Sequence, residues 1–262
     1  MLTHEQLVHF SEHGWVVEPD VFCDSQIEAC RTAMDRHADR GPEGVLRSDE
    51  VELIIQGIMN DEAVVRETLT DQRILDAHRQ LTGTEIKHLT NWMIIKHPHP
   101  DREGHRDALM KPETLGWHRD LRPRWGMYAH ETEPGLVNSL FNNSTVLLTD
   151  IGKDDGGTMA LDGSHKVEGS WREVIETCSP HQIEGSAGSV IHFSECLMHT
   201  GVPILSEKSR YVMFVSYGPP WFKTWHKSEI PQDILAKVED EELRSVLEGW
   251  NMHGFHGQHP VL

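Results

Sequence analysis

The chain has 262 residues, 37% of them hydrophobic, and carries 24 Lys and Arg against 42 Asp and Glu, a formal charge of −18. The acidity is spread along the chain with no basic stripe to neutralise phosphates, which excludes nucleic acid and anionic membrane surfaces as partners. The hydrophobic share supports a real core and excludes global disorder, and no apolar run approaches a membrane span.

The N-terminus shows no basic-then-apolar leader pattern, and Cys23, Cys30, Cys178 and Cys196 lack Cys-x-x-Cys spacing. The expectation is a cytoplasmic protein with reduced thiols. Residues 3–13 predict a helix with Thr3 as N-cap, ended by Gly14, and Trp15-Val16-Val17 follows as a short strand. A second helix is predicted over 25–38, before Gly41-Pro42. A third is predicted over 59–82, with Val64, Leu69, Ile74 and Leu81 apolar. Asn91 to Lys96 reads as a strand that turns Lys96 toward the interior. Residues 97–114 are polar, rich in His, Pro and Asp, and too long for an ordinary connection, so a lid is expected.

The second half turns β-rich. Residues 136–151, 157–161, 181–184, 189–193 and 211–217 read as strands separated by Gly, Asp or Ser turns. Pro219-Pro220 breaks the last strand, and 232–249 predicts one or two amphipathic helices. The expected fold class is mostly β with a helical buttress, a double-stranded β-helix or jelly roll of cupin-like type. The expected organisation is one domain over 1–262. It comprises a helical part over about 1–90, a jelly-roll core over about 91–218 and a C-terminal helical segment over about 219–262.

The chemistry is organised around Gly116-Trp117-His118-Arg119-Asp120. His118 and Asp120 are two apart, so on an extended segment both side chains leave one face and form two corners of a metal site. His199, in Leu197-Met198-His199-Thr200-Gly201, is the best third corner. Two His and one carboxylate on one side of an ion leave the other side open, which suits non-haem Fe(II) oxygen chemistry. Arg210, eleven residues after His199, offers a planar cation for a cosubstrate carboxylate.

With its surroundings, this set resembles the phytanoyl-CoA dioxygenase family of Fe(II)/2-oxoglutarate oxygenases. The likeness runs from Leu2 through Trp15-Val16-Val17, through the His-x-Asp segment, to Gly156-Gly157-Thr158 and Asp162-Gly163-Ser164-His165. It ends with Gly188 to Phe193, leading to His199 and Arg210. The resemblance implies Fe(II) on His118, Asp120 and His199, and 2-oxoglutarate with its far carboxylate on Arg210. The substrate would be a small molecule, with O2 as oxidant and succinate and CO2 as co-products. The intact Asp120 favours hydroxylation or desaturation, because related halogenases lack that carboxylate. Asp162 stands where the family usually has Pro. Gly201 stands where many members carry a Ser that helps hold 2-oxoglutarate, so Lys96 and Thr200 are candidates to assist Arg210.

With 19 histidines in the chain, blander readings compete. His192 is a rival third ligand, although the resemblance places it in a strand body; His165 reads as structural. His97, His99 and His105 read as a solvated loop, and His253, His256 and His259 as a frayed tail. Trp117, Trp125, Trp221 and Trp225 are core and rim aromatics, or walls of a substrate pocket. The alternative functions are a cupin-type metal dioxygenase without 2-oxoglutarate, or a non-catalytic small-molecule-binding jelly roll.

Overall fold

The computed structural model describes residues 1–41, 44–130 and 133–249. Helix α1 (His4–His13) starts in a capping box: Thr3 Oγ1 accepts from the Gln6 amide at 3.3 Å, and Gln6 Oε1 accepts from the Thr3 amide at 2.8 Å. It ends at Gly14, whose φ of 86° is left-handed and whose missing Cβ leaves room for the His165 ring. Helix α2 (Asp24–Asp39) follows.

The single helix expected over 59–82 is three: α3 (Ile58–Asp61), α4 (Ala63–Leu69) and α5 (Gln72–Thr82). Glu62 at the first junction is extended and buried, and its carboxylate takes ion pairs from Arg36 and Arg40 of the α2 end. Asp71 starts α5 as N-cap by accepting from the Arg73 amide at 2.9 Å. Helix α6 (Arg102–Leu109), kinked at Glu103 and Gly104, occupies part of the predicted lid. Short helices at Gln232–Leu235 and Glu241–Glu248 follow the last strand.

The strands are β1 (Trp15–Glu18), β2 (Val45–Ser48), β3 (Glu52–Gln56), β4 (Lys87–Lys96), β5 (Met127–Ala129), β6 (Val137–Ser139), β7 (Asn142–Leu147), β8 (Thr158–Leu161), β9 (Pro180–Ile183), β10 (Val190–Ser194), β11 (His199–Gly201) and β12 (Arg210–Gly218). Seven form an antiparallel sheet in the order β1-β10-β7-β12-β4-β3-β2. A smaller sheet, β11-β8-β9, stands opposite, and β5 pairs with β6. This is a jelly roll with helices against its back. The 1–90 part, expected to be helical, also contributes β1, β2 and β3 to the large sheet.

Alternation explains why the central strands read as unbroken apolar runs. Met93, Ile95, Val146, Val190, Met213 and Val215 pack against the helices, in a cluster that includes Met34, Ile58, Leu69 and Ile74. Their neighbours Ile94, Leu147, Ile191, Phe193 and Val212 point the other way, onto Ala160 and Ile183 of the smaller sheet. Among the described residues no helix is long and apolar enough to cross a membrane.

Candidate metal centre

Strand register lays the site out in rows on the inner face of the large sheet. Glu52, Lys96 and Arg210 are cross-strand partners and form a charged row at one end. Ile54, Ile94, Val212 and Leu147 form an apolar row beside it. Trp92 pairs with Phe214, and then Thr90 with Ser216 and Ser216 with Asn143, making the far end aromatic and polar. A cavity of about 490 Å³ runs over these rows, between the large sheet and the segment that carries His118.

His118 and His199 face each other across a two-residue ladder, with amide-to-carbonyl bonds of 3.0 and 2.9 Å and ring centroids 4.4 Å apart. Each ring is oriented by its own backbone. His118 Nδ1 lies 2.8 Å from the Gly116 carbonyl, and His199 Nδ1 lies 2.9 Å from the Leu197 carbonyl. A carbonyl only accepts, so each Nδ1 carries the proton and each Nε2 keeps its lone pair for a metal. Burial pushes the His199 imidazole down to about 3, with the His118 charge acting the same way and the Leu197 carbonyl opposing. It is therefore held neutral, as a ligand must be.

Asp120 opens onto the same cavity, its amide donating to the Glu195 carbonyl at 3.0 Å. Burial raises its carboxyl above the ordinary value, and His118 pulls the other way. Two imidazole lone pairs and one carboxylate thus share one cavity wall, and the donor chemistry fits Fe(II). They do so without closing on a point: among the described residues, no three His, Cys, Asp or Glu side chains converge as a finished metal cage.

The charged row carries more cations than carboxylates. Arg210 is buried; one guanidinium nitrogen donates to the Gly156 carbonyl, while Nε has no partner. Lys96 Nζ lies 3.6 Å from Glu52 Oε1, and Glu52 also takes Arg47 at 3.2 Å. Burial, then the Arg210 charge, lowers Lys96 to about 8, with Glu52 opposing; burial lowers Arg210 to about 10. One carboxylate facing these cations leaves surplus positive charge and an orphaned donor at the cavity end. Gly201 matters here, since a Cβ on it would stand 3.9 Å from Lys96 Nζ.

The structure corrects the expectation for Thr200 and places the other residues singled out in the sequence. Thr200 is buried and does not line the cavity, because strand alternation turns it away from the face shared by His199 and Gly201. His192 lies on the back of the large sheet, bonded to Ser144 at 2.7 Å and Glu18 at 2.9 Å, so it is not a third ligand. His165 is buried beside the Ser11 carbonyl. Of the loop histidines only His99 lines the cavity; His97 bonds Ser209. His253, His256 and His259 lie outside the described residues. Trp117 packs in a small cluster with Leu161 and Met198, and Trp125 and Trp221 are exposed, whereas Trp225 lines the cavity.

Glu195, Trp92, Phe141, Asn143 and Glu52 also line the cavity, although none stands out in the sequence. The signal for Trp92 was its even spacing from Lys96 on one strand. Glu195 is buried, and its carboxyl is held well above the ordinary range by burial and then by the Asp120 charge, against a hydrogen bond from Asn143.

The profile of the family described as Phytanoyl-CoA dioxygenase (PhyH) matches residues 10–212. A comparison with curated proteins finds no match. Among solved structures, HygX from Streptomyces hygroscopicus, crystallised with nickel and 2-oxoglutarate, superposes with a TM-score of 0.68 at 20% identity, over 86% of this chain and 91% of that one. AviO1 from Streptomyces viridochromogenes Tue57 gives 0.64 at 18% identity, over 84% and 98%. SnoN, a non-heme alpha ketoglutarate dependent epimerase from nogalamycin biosynthesis, gives 0.61 at 14% identity, over 81% and 80%. At these identities the likeness is one of fold.

Proposed function

Because the chain belongs to the phytanoyl-CoA dioxygenase family of non-haem iron, 2-oxoglutarate-dependent enzymes, we propose that it oxidises an unactivated C–H bond of a small molecule, by hydroxylation or desaturation. His118, Asp120 and His199 would hold Fe(II), and Arg210 with Lys96 would hold the far carboxylate of 2-oxoglutarate. When bound, iron with this cosubstrate and O2 supplies an oxidant able to take hydrogen from carbon, with succinate and CO2 as co-products. The protein's own part is orientation. Gly116 and Leu197 carbonyls fix both imidazoles, and the backbone of Glu195 fixes the Asp120 segment. Ile54, Ile94 and Val212 keep the stretch beside the charged row dry.

One observation carries the reading: a single cavity has the His118, Asp120 and His199 donors on one wall and at its end a buried Arg210 whose Nε has no partner. A metal site without 2-oxoglutarate would not require that buried cation. HygX, similar in fold, has been crystallised with iron, and with nickel, 2-oxoglutarate and hygromycin B, which supports a small-molecule substrate here. The test is anaerobic addition of Fe(II) and 2-oxoglutarate to the purified protein. A weak visible charge-transfer band is expected, with slow succinate formation once air is admitted. No band and no succinate would favour the cupin alternative.

A further inference from the structure

The end of the cavity away from Lys96 and Arg210 is walled by rings. Trp92 and Phe214 are cross-strand partners on the large sheet, and Phe141 leads into β7; all three line the cavity. Trp225 completes the wall from outside the sheets, its ring centroid 6.0 Å from Trp92 and 6.1 Å from Phe141. The planes are inclined by 57° and 69°, so no ring of the three lies flat on its neighbour. Trp92, Phe214 and Trp225 are only half-buried, and the surface they leave open faces the cavity.

Trp225 is fastened in place. Its amide donates to the Leu89 carbonyl at 2.8 Å, and Thr224 Oγ1 donates to the His88 carbonyl at 3.0 Å, which ties the segment to β4. Three residues on, Ser228 Oγ lies 3.0 Å from Thr90 Oγ1 and accepts from Gln56 Nε2 at 3.1 Å. Gly57 makes room for this clasp, since a Cβ there would stand 2.3 Å from the Lys227 carbonyl oxygen. The polar side chains beside the rings are tied to one another. Trp92 Nε1 donates to Thr90 Oγ1 at 2.5 Å, and Asn143 Nδ2 donates to Ser216 Oγ at 3.1 Å. This end therefore offers a ligand fixed π surface, and aromatic pairs gain more than their buried area alone provides.

We propose that this end of the cavity binds a flat aromatic ring, so that the substrate is an aromatic small molecule seated against Trp225, Trp92 and Phe141. This deepens the oxygenase reading and rests on it only in calling the occupant a substrate. Phe141 is two backbone bonds from the metal corner. Its carbonyl accepts from the Glu195 amide at 2.9 Å, and the Glu195 carbonyl accepts from the Asp120 amide at 3.0 Å. A ring seated on Phe141 thus brings its substituents toward His118, Asp120 and His199.

The test uses the full chain loaded anaerobically with Fe(II) and 2-oxoglutarate. It is titrated by calorimetry with 2-naphthalenemethanol, and separately with decahydro-2-naphthalenemethanol, which has the same carbon skeleton and hydroxyl but puckered, saturated rings. Burial alone favours the saturated probe, the more apolar of the two, so a preference for the flat one isolates the contribution of the rings. The flat probe should bind at least ~3-fold tighter. Trp225→Leu, which keeps an apolar side chain and removes the π face, should erase most of that preference, and Trp225→Phe should retain part of it. Circular dichroism checks that each variant is folded. In the wild type alone, equal affinities, a preference for the saturated probe, or no binding of the flat one would each overturn the proposal. So would a preference that survives undiminished in Trp225→Leu. The charge-transfer band in the same samples separates the two readings. If the band forms without a preference for the flat probe, only the aromatic site fails. If no band forms, the oxygenase reading fails, and the same pair of titrations still judges the aromatic site on the metal-free protein.

Discussion

Lys96 and Arg210 sit directly opposite each other on adjacent antiparallel strands, both buried, with Glu52 as the next residue in the same row. Glu52 already takes Lys96 and Arg47, and Arg210 Nε has no partner, so under the proposed function the row would receive the far carboxylate of 2-oxoglutarate. Arg210→Ala should weaken 2-oxoglutarate by roughly 30-fold to several thousand-fold, the range for stranding one partner of a desolvated pair, about 2–5 kcal/mol. Arg210→Lys should recover part of this, because an ammonium lacks the planar fork. Isothermal titration of 2-oxoglutarate at constant metal reads both, and unchanged affinity would remove Arg210 from the site.

Lys96 gives that clamp a pH dependence. Burial, followed by the Arg210 charge, lowers it to about 8, so the ammonium is present below that pH and lost above it. The affinity for 2-oxoglutarate should therefore decline as pH rises through about 8. In Lys96→Met the affinity should be lower throughout and flat across the same range. A wild-type profile that stays level would show that Lys96 takes no part.

His118→Ala and Asp120→Ala should each lose at least ~100-fold in Fe(II) affinity, since even outer-shell partners of metal ligands are worth 10–100-fold. The circular dichroism spectrum should not change, because the ladder between His118 and His199 is made of backbone bonds. His192→Ala should leave metal affinity near wild type and lower stability, as a residue bonded to Ser144 and Glu18 behind the sheet.

Three buried histidines away from the metal corner make the fold acid-sensitive. Burial, then the His192 charge, holds His78 well below its ordinary value; burial, then neighbouring lysines, holds His88 and His165 at about 3. All three are neutral in the fold, whereas in the unfolded chain each titrates near 6.5. Above that pH they cost nothing. Below it the unfolded state takes up protons that the native state refuses, and stability falls by about 1.4 kcal/mol per pH unit for each group. Denaturant titrations at pH 7 and at lower pH should show this steep loss, and a variant with His165→Gln should show a shallower one.

The segment before the metal corner is fastened at its surface. Arg102 grips both Glu207 oxygens, at 2.7 and 2.8 Å, and Arg106 pairs with Asp154. Exposed pairs of this kind add little to global stability. Arg102→Ala with Arg106→Ala should leave the thermal midpoint where it is and speed proteolysis around Gly104, where the helix is kinked. Unchanged cleavage would mean that the segment is held by its contacts at Pro98 and His99 with Ile204 instead.

What the sequence made legible follows from how local each signal is. His118 and Asp120 declare themselves by a spacing of two, and the strands that follow by apolar runs between turn residues. Thr200 was misplaced although the same alternation rule, applied from His199, turns it away. The break at Glu62 was hidden, because apolar periodicity continues across it and its cause, Arg36 and Arg40, lies in another helix. β2 escaped notice because all four of its residues are exposed and carry no apolar pattern. Glu195, Phe141 and Trp225 are brought together only by strand register and ring packing, so no window of sequence contains them.

The order of strands in the large sheet also governs when the cavity can exist. β12 is made last of the seven and lies between β7 and β4, near the middle. Without it, the pairing leaves β1-β10-β7 as one half and β4-β3-β2 as another, each with an open edge. A chain stopping just after His199 would hold every metal ligand and still have no cavity. Because Trp15 must find Phe193, such contacts form slowly and late. A chain cut before β12 should therefore bind Fe(II) far more weakly than the full chain, although it keeps His118, Asp120 and His199.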